Sequence, residues 1–133
     1  MSDLNLLALC LWREARGEGE DGMRAVACVV MNRVKAKWGT LQKVILGKNQ
    51  FTSMSVPSDS QFTLQPKAND KLYKIASEIA EEAIAGELED TTKGALYYAN
   101  LKIATSGWFF KNIVGKPKEH PETVQIGRHS FFA

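Results

Sequence analysis

Between Asp3 and Arg13 the apolar residues Leu4, Leu7 and Leu11, flanked by Leu6, Leu9 and Cys10, recur at helical spacing, which predicts a short and largely buried first helix. Ser2 or Asp3 stands where an N-cap belongs. Gly17, Gly19 and Gly22 then break the pattern, so the polar stretch Arg16 to Asp21 reads as a turn. Ala25 to Val34 is apolar at nearly every position before Asn32 and Arg33, as suits a helix buried on most sides. A shorter helix is expected from Thr40 to Leu46, capped by Thr40 and ended by Gly47. Lys48 to Lys67, rich in Ser, Thr, Gln, Asn and Pro, reads as a long loop anchored by Phe51, Met54 and Phe62, and loops of that length usually serve function.

Asn69 or Asp70 opens the clearest helix, with Leu72, Ile75, Ala76, Ile79, Ala83 and Ile84 on one face and Lys74, Ser77, Glu78 and Glu81 on the other. Gly86 ends it. Past Asp90 the chain is aromatic and turn-rich, and short strands are expected at Leu96 to Ala99 and Val124 to Phe132. The pattern therefore predicts a mainly α (α+β) fold, one domain over residues 1–133 with a few short strands near its end.

Composition supports a single core. A chain of 133 residues that is 44% hydrophobic can bury one without disulfides or a structural metal. No apolar run approaches the roughly 20 residues of a membrane span, and the start lacks the order of a signal peptide. The expectation is a soluble protein made in the cytoplasm, without stable membrane insertion. A net charge of +2 is too mild to argue for nucleic acid as partner. Acids dominate from Glu78 to Asp90, and Lys102, Lys111, Lys116, Lys118 and Arg128 turn the rest basic; a solvated face is the plain explanation, an affinity for an acidic polymer the other. Cys10 and Cys28 lie inside apolar helical patterns and read as buried free thiols, with a disulfide between packed helices as the alternative.

Glu14 stands one heptad after Leu7 and three residues after Leu11, so it continues the apolar face of the first helix. A carboxyl facing a partly apolar cleft has its charged form disfavoured, the property a general acid needs. The competing reading is a structural salt bridge to Arg13, Arg16 or Arg24. Glu18 follows four residues later, at roughly 6 Å between Cβ atoms on an unbroken helix. Paired glycosidase carboxyls stand about 5–5.5 Å apart in retaining enzymes and about 6.5–9.5 Å apart in inverting ones. Gly17 leaves the true separation open, and Glu18 equally suits the positive N-terminal end of the second helix, as Glu20 and Asp21 do. Tyr97, Tyr98 and Trp108 are able to stack on sugar rings, though aromatics of a small domain more often fill its core. Gln50, Thr52 and Asn100 are candidates to hydrogen-bond hydroxyl or acetamido groups, or are ordinary loop residues. His129 has a patterned context, although a lone histidine more often completes a hydrogen-bond network; His120 reads as surface. No metal spacing, phosphate cradle or nucleophile elbow is present, so neither metal nor cofactor is expected.

Taken in order, these motifs resemble the cell wall hydrolase family typified by the spore cortex-lytic enzyme SleB. Arg13-Glu14-Ala15-Arg16-Gly17-Glu18 is similar to the family's Gly-Glu-Ala-Arg-Gly-Glu, and Gly22 to Ala27 with Asn32-Arg33-Val34 to its second helix. Gln50-Phe51-Thr52 resembles the next signature. Asp90 to Tyr98 with Asn100, then Trp108, then Ile126 to Phe131, resembles the closing block. Arg13 stands where the family has glycine, and Thr92-Lys93 where it has small or turn-forming residues.

The resemblance implies a lysozyme-like helical fold and cleavage between N-acetylmuramic acid and N-acetylglucosamine in peptidoglycan glycan strands, with Glu14 as the acid. Similar enzymes are lytic transglycosylases, in which one glutamate serves as acid and base and no second carboxylate is needed. A hydrolytic muramidase, with Glu18 activating water, is the alternative mechanism. A non-catalytic peptidoglycan-binding module is the alternative of another class, and an intracellular helical interaction protein gives no reason for Glu14. A bare catalytic domain of this kind looks like a monomeric phage endolysin, held in the cytosol and released to the wall by a holin-type protein.

Overall fold

The computed structural model describes residues 1–48 and 50–133. Helix α1 (Asp3–Ala15) begins where the Ser2 hydroxyl accepts the Asn5 amide at 3.1 Å. It runs two residues past the predicted end at Arg13, so Glu14 is still helical. The Arg16 guanidinium folds back onto the Trp12 carbonyl at 2.9 Å, covering an acceptor that the helix end leaves free.

A single 3-10 turn, Arg16–Glu18, then feeds helix α2 (Gly19–Lys35). The turn expected to reach Asp21 is therefore shorter, and α2 starts six residues before Ala25. The glycines explain the difference. Gly19, at φ +73°, redirects the backbone, whereas Gly22 sits inside the helix, where a Cβ would lie 2.3 Å from the Cβ of Glu18. Glycine read as a breaker is there for clearance.

Helix α2 is buried from two sides, which accounts for its nearly unbroken apolar run. Met23, Val26, Ala27 and Val30 join the main core with α1, while Ala25 and Val29 meet Ala95 and Phe131 in a second cluster beneath the sheet. Helix α3 (Leu41–Leu46) has its predicted bounds, with the Thr40 hydroxyl accepting the Lys43 amide and Gly47 at its end.

The expected loop after Lys48 holds one helical turn, α4 (Thr52–Ser55), too short to leave a period in the sequence. Phe51 and Met54 anchor it in the core, and Phe62 is half-buried. Arg13, only 9% exposed, fixes the path of this segment, its Nε donating to the Leu64 carbonyl at 3.0 Å and its Nη1 to the Ser53 carbonyl at 3.1 Å. Helix α5 (Lys71–Ile84) starts at Asp70, whose carboxylate accepts from the Tyr73 amide and the Trp12 indole and so joins α5 to α1. Ala76, Ile79, Ala80 and Ala83 are buried, but Ile84, predicted on that face, is 46% exposed at the last helical position. Gly86, at φ +74°, ends the element as expected.

The turn at Asp90 carries the departure noted at Thr92-Lys93. Asp90 accepts from the Thr92 amide and hydroxyl, the Gly94 amide and the Asn32 side chain. Buried Thr92 in turn accepts the Ala95 amide, so a hydroxyl here closes the loop. After it comes β1 (Tyr97–Ala99). Helix α6 (Gly107–Phe109) follows and continues as a π-helical turn over Phe110–Val114, an element the aromatic composition did not suggest. The long predicted second strand is two strands, β2 (Glu122–Ile126) and β3 (His129–Phe132), joined at Gly127 and Arg128. Gly127 takes φ +58°, the left-handed conformation that a two-residue hairpin turn requires. The sheet order is β1-β3-β2, antiparallel throughout, with Tyr98 opposite Phe131 and Tyr97 opposite Phe132. Cys10 and Cys28 are both buried and free.

Burial works to raise the Asp90 pKa, but hydrogen bonds from Thr92, Asn32 and Gly94 together hold it below the ordinary value. Asp90→Ala is expected to lower unfolding free energy by about 1.5–3 kcal/mol, the range for hydrogen bonds to a charged group. Urea denaturation measures this, and an unchanged midpoint would show that the turn closes without Asp90.

Candidate active site

Glu14 lies in the last turn of α1, half-buried, and each of its oxygens accepts one hydroxyl proton. Ser53 in α4 donates to Oε2 at 2.5 Å, and Tyr98 in β1 donates to Oε1 at 2.8 Å. Burial pushes the Tyr98 phenol well up, with the charge of Glu14 acting in the same direction, so Tyr98 stays a protonated donor. The salt bridge considered for Glu14 is not formed. Arg13 is committed to the carbonyls of Ser53 and Leu64, Arg16 to the Trp12 carbonyl and ring, and Arg24 to Glu82 and Glu20.

A cleft of about 970 Å³ opens over Glu14, and Gln50, Thr52, Tyr97, Tyr98, Asn100 and His129 all line it. The sequence candidates thus converge on one carboxyl, with differing freedom. Tyr98 has its hydroxyl on Glu14, and its ring stacks on Phe131 at 5.6 Å. Tyr97 packs between Trp38 at 5.5 Å and His120 at 5.2 Å. Thr52 donates to Asp59 at 2.6 Å, the Gln50 oxygen accepts from Arg33, and the Asn100 oxygen accepts the Lys102 amide. Trp108 is 62% exposed at the cleft, where an indole face is free for a ligand. His120, read as surface, is instead half-buried, its Nδ1 bonded to the Ala133 carbonyl at 2.9 Å.

Glu18 is near but differently engaged. Its Oε1 accepts from Arg128 Nε at 2.8 Å and lies 3.9 Å from His129 Nδ1, which ties the start of α2 to the β2–β3 turn. It lines a smaller hollow of about 200 Å³ that adjoins Glu14 and His129. Spacing along one helix could not reveal the pairing with Arg128, which lies 110 residues further along the chain.

Three contributors escaped the sequence reading. Ser53 follows the Gln50-Phe51-Thr52 signature, yet nothing local distinguishes it from its serine-rich surroundings. Trp38 and Arg33 also line the cleft. Arg33 is 7% exposed and sits 4.9 Å from the Trp38 ring and 5.3 Å from that of Phe51. A helix ending in Asn-Arg-Val reads as an ordinary polar exit, so its burial was invisible. Among the described residues no group of three or more His, Cys, Asp and Glu is placed to hold a metal ion.

A helical scaffold with a small antiparallel sheet, enclosing a cleft with one held carboxyl, has counterparts among known proteins. Residues 17–132 match the Cell Wall Hydrolase family, and the chain belongs to it. The match begins three residues after Glu14, but pairwise relatives extend over that position too. The chain is 37% identical over 132 residues to the spore cortex-lytic enzyme of Oceanobacillus iheyensis, covering 98% of this chain and 41% of that protein. It is 31% identical to the spore cortex-lytic enzyme of Bacillus subtilis, covering 98% of this chain and 37% of that one. The chain therefore spans about two fifths of the length of these relatives. Among solved structures, the catalytic domain of the germination-specific lytic transglycosylase SleB from Bacillus anthracis superposes with a TM-score of 0.72 at 32% identity, covering 98% of this chain and 93% of that one. The catalytic domain of Bacillus cereus SleB gives 0.71 at 32% identity, covering 98% and 89%. At that identity and coverage the fold is the SleB catalytic-domain fold.

Burial lowers the His129 pKa from 6.5, while Glu18 opposes the shift and Arg128 adds to it. A histidine with a depressed folded pKa binds fewer protons native than unfolded, so its contribution is full above the unfolded pKa and is lost as pH falls toward the folded one. Thermal melts from pH 7.5 to 5 are expected to show stability falling below about pH 6.5, with a shallower slope in His129→Gln. Equal slopes would mean that other groups set the dependence.

Proposed function

We propose that this chain cleaves the glycan strands of peptidoglycan between N-acetylmuramic acid and N-acetylglucosamine as a lytic transglycosylase, with Glu14 as the group that moves the proton. The observation that carries this reading is the Glu14 carboxyl facing a large open cleft, with each oxygen oriented by a neutral hydroxyl and none by a cation. Membership of the cell wall hydrolase family and likeness to two SleB catalytic domains support it.

In the first step protonated Glu14 gives its proton to the glycosidic oxygen as the bond from muramyl C1 breaks. The N-acetylglucosamine part leaves with a 4-hydroxyl, and positive charge develops at C1. The Glu14 carboxylate then takes the proton of the muramyl C6 hydroxyl, whose oxygen attacks C1 and closes the 1,6-anhydro ring. The carboxyl ends protonated as it began, and no water is consumed. Ser53 and Tyr98 orient the oxygens through the exchange, while Gln50, Thr52, Tyr97, Asn100 and His129 face the sugars. The engagement of Glu18 with Arg128 favours this route over one that needs a second free carboxylate to activate water.

Under this reading residues 1–133 act as one catalytic domain, as a monomer and without a cofactor. The site of action is the bacterial wall. Delivery by a holin-type protein, as for a phage endolysin, belongs to the same proposal; efficient secretion of the native protein without a lysis protein would refute it.

Digestion of purified peptidoglycan, with released muropeptides weighed by mass spectrometry, is expected to give 1,6-anhydro ends. Hydrated reducing ends would instead make the protein a muramidase, and no release would leave a wall-binding module. Glu14→Gln is expected to cut the rate by about 10²–10⁴-fold, the range for losing a general acid, with folding and wall binding retained. Ser53→Ala and Tyr98→Phe are each expected to lower kcat about tenfold with KM within about twofold, as loss of orientation does. A change confined to KM would assign those hydroxyls to sugar binding.

A further inference from the structure

Among the described residues Arg33 is a buried cation with no carboxylate within 4.0 Å. It is 7% exposed, and its guanidinium forms part of the cleft wall. Nε donates to the Leu96 carbonyl at 2.8 Å and Nη1 to the Gln50 amide oxygen at 3.2 Å, both neutral acceptors. Among the described residues Nη2 has no acceptor, and the ion pairs within 4.0 Å involve Arg24, Arg128 and His129, not Arg33. The rings of Trp38, Phe51 and Tyr97 stand 4.9, 5.3 and 5.9 Å from its central carbon. Aromatic faces and carbonyls offset part of the cost of burying the charge, but an unpaired interior cation remains expensive. Burial lowers its pKa, yet an arginine stays charged. The other buried arginine, Arg13, donates through Nε to the Leu64 carbonyl and through Nη1 to the Ser53 carbonyl and the Met54 sulfur, and it differs from Arg33 in not lining the cleft.

We propose that Arg33, with Gln50 and Trp38 beside it, is a subsite for a carboxylate carried on the muramyl half of the substrate. This rests on the glycan-cleaving reading of the same cleft. Of the two sugars in the strand, N-acetylmuramic acid alone bears a lactyl group, whose carboxyl is either free or joined to a peptide stem with carboxylates of its own. N-acetylglucosamine has no ionisable group. A planar guanidinium on the wall of the cleft matches a carboxylate in shape and charge, and its Nη2 has no acceptor among the described residues. Charge recognition at one subsite fixes which sugar lies there. It thereby decides which of the two alternating glycosidic bonds meets Glu14.

The test titrates the full wild-type chain with three probes that contain no cleavable strand, following amide shifts by NMR. These are N-acetylglucosamine, N-acetylmuramic acid with its free lactyl carboxylate, and muramyl dipeptide, in which that carboxylate is masked as an amide and another lies on the stem. N-acetylmuramic acid or muramyl dipeptide is expected to bind about tenfold tighter than N-acetylglucosamine, as befits a charge-assisted pair, with the advantage shrinking as salt is raised. Preference for N-acetylmuramic acid alone identifies the lactyl carboxylate, and preference for the dipeptide identifies the stem. Equal affinity for all three would overturn the proposal, and would do so even if peptidoglycan digestion proceeds, which leaves the activity reading intact. Arg33→Lys, which keeps the charge but not the fork, is expected to reduce the preference at least threefold; a folded variant with the preference unchanged would overturn it as well. If that variant does not fold, the wild-type comparison decides alone.

Discussion

The arrangement of the cleft turns on two hydroxyl groups meeting at one carboxyl. Ser53 reaches Glu14 across 39 residues of sequence and Tyr98 across 84, so the contact joins the end of α1, the short α4 and the first strand. None of these elements holds its position alone. Helix α4 is a single turn and β1 is three residues long, so both need tertiary support. Helix α4 is held on α1 by the Arg13 bond to the Ser53 carbonyl and by Phe51 and Met54 in the core, and β1 by its pairing with β3, whose Phe131 packs on α2.

Charge is distributed around this contact by exclusion. Three arginines have their hydrogen bonds elsewhere: Arg13 to the loop carbonyls, Arg16 to the Trp12 carbonyl, and Arg33 to Leu96 and Gln50. Glu18, the second acid of the motif, is occupied by Arg128. What is left at the centre is a carboxyl whose immediate partners are uncharged, which is the condition for a proton to leave and return without a fixed ion pair having to break.

Much of this was legible along the chain. The cap at Thr40 and the stops at Gly47 and Gly86 were readable outright, and the caps at Ser2 and Asp70 to within one residue, because each depends on a residue type suited to that place. The inward direction of Glu14 followed from helical period alone. Elements governed by distant partners were harder to read. Helix α4 owes its path to Arg13, the split between β2 and β3 turns on Gly127 in an otherwise strand-like run, and α6 with its π turn lies in an aromatic, turn-rich stretch for which no element was expected. The site candidates lie in one cleft, apart from Glu18 in the adjoining hollow, yet Ser53, Trp38 and Arg33 were missed because their significance lies in what faces them.

The Arg13 side chain has a consequence for how this domain can vary. One guanidinium spans from the helix carrying Glu14 to two carbonyls eleven residues apart, at Ser53 and Leu64. The intervening segment is consequently a closed loop of fixed perimeter, not a free surface excursion. Insertions there would have to bulge outward without moving either carbonyl, or else loosen the hydroxyl that orients Glu14. A lineage that exchanged this arginine for a smaller residue would release the segment to change in length, and would need some other tether for the Ser53 position.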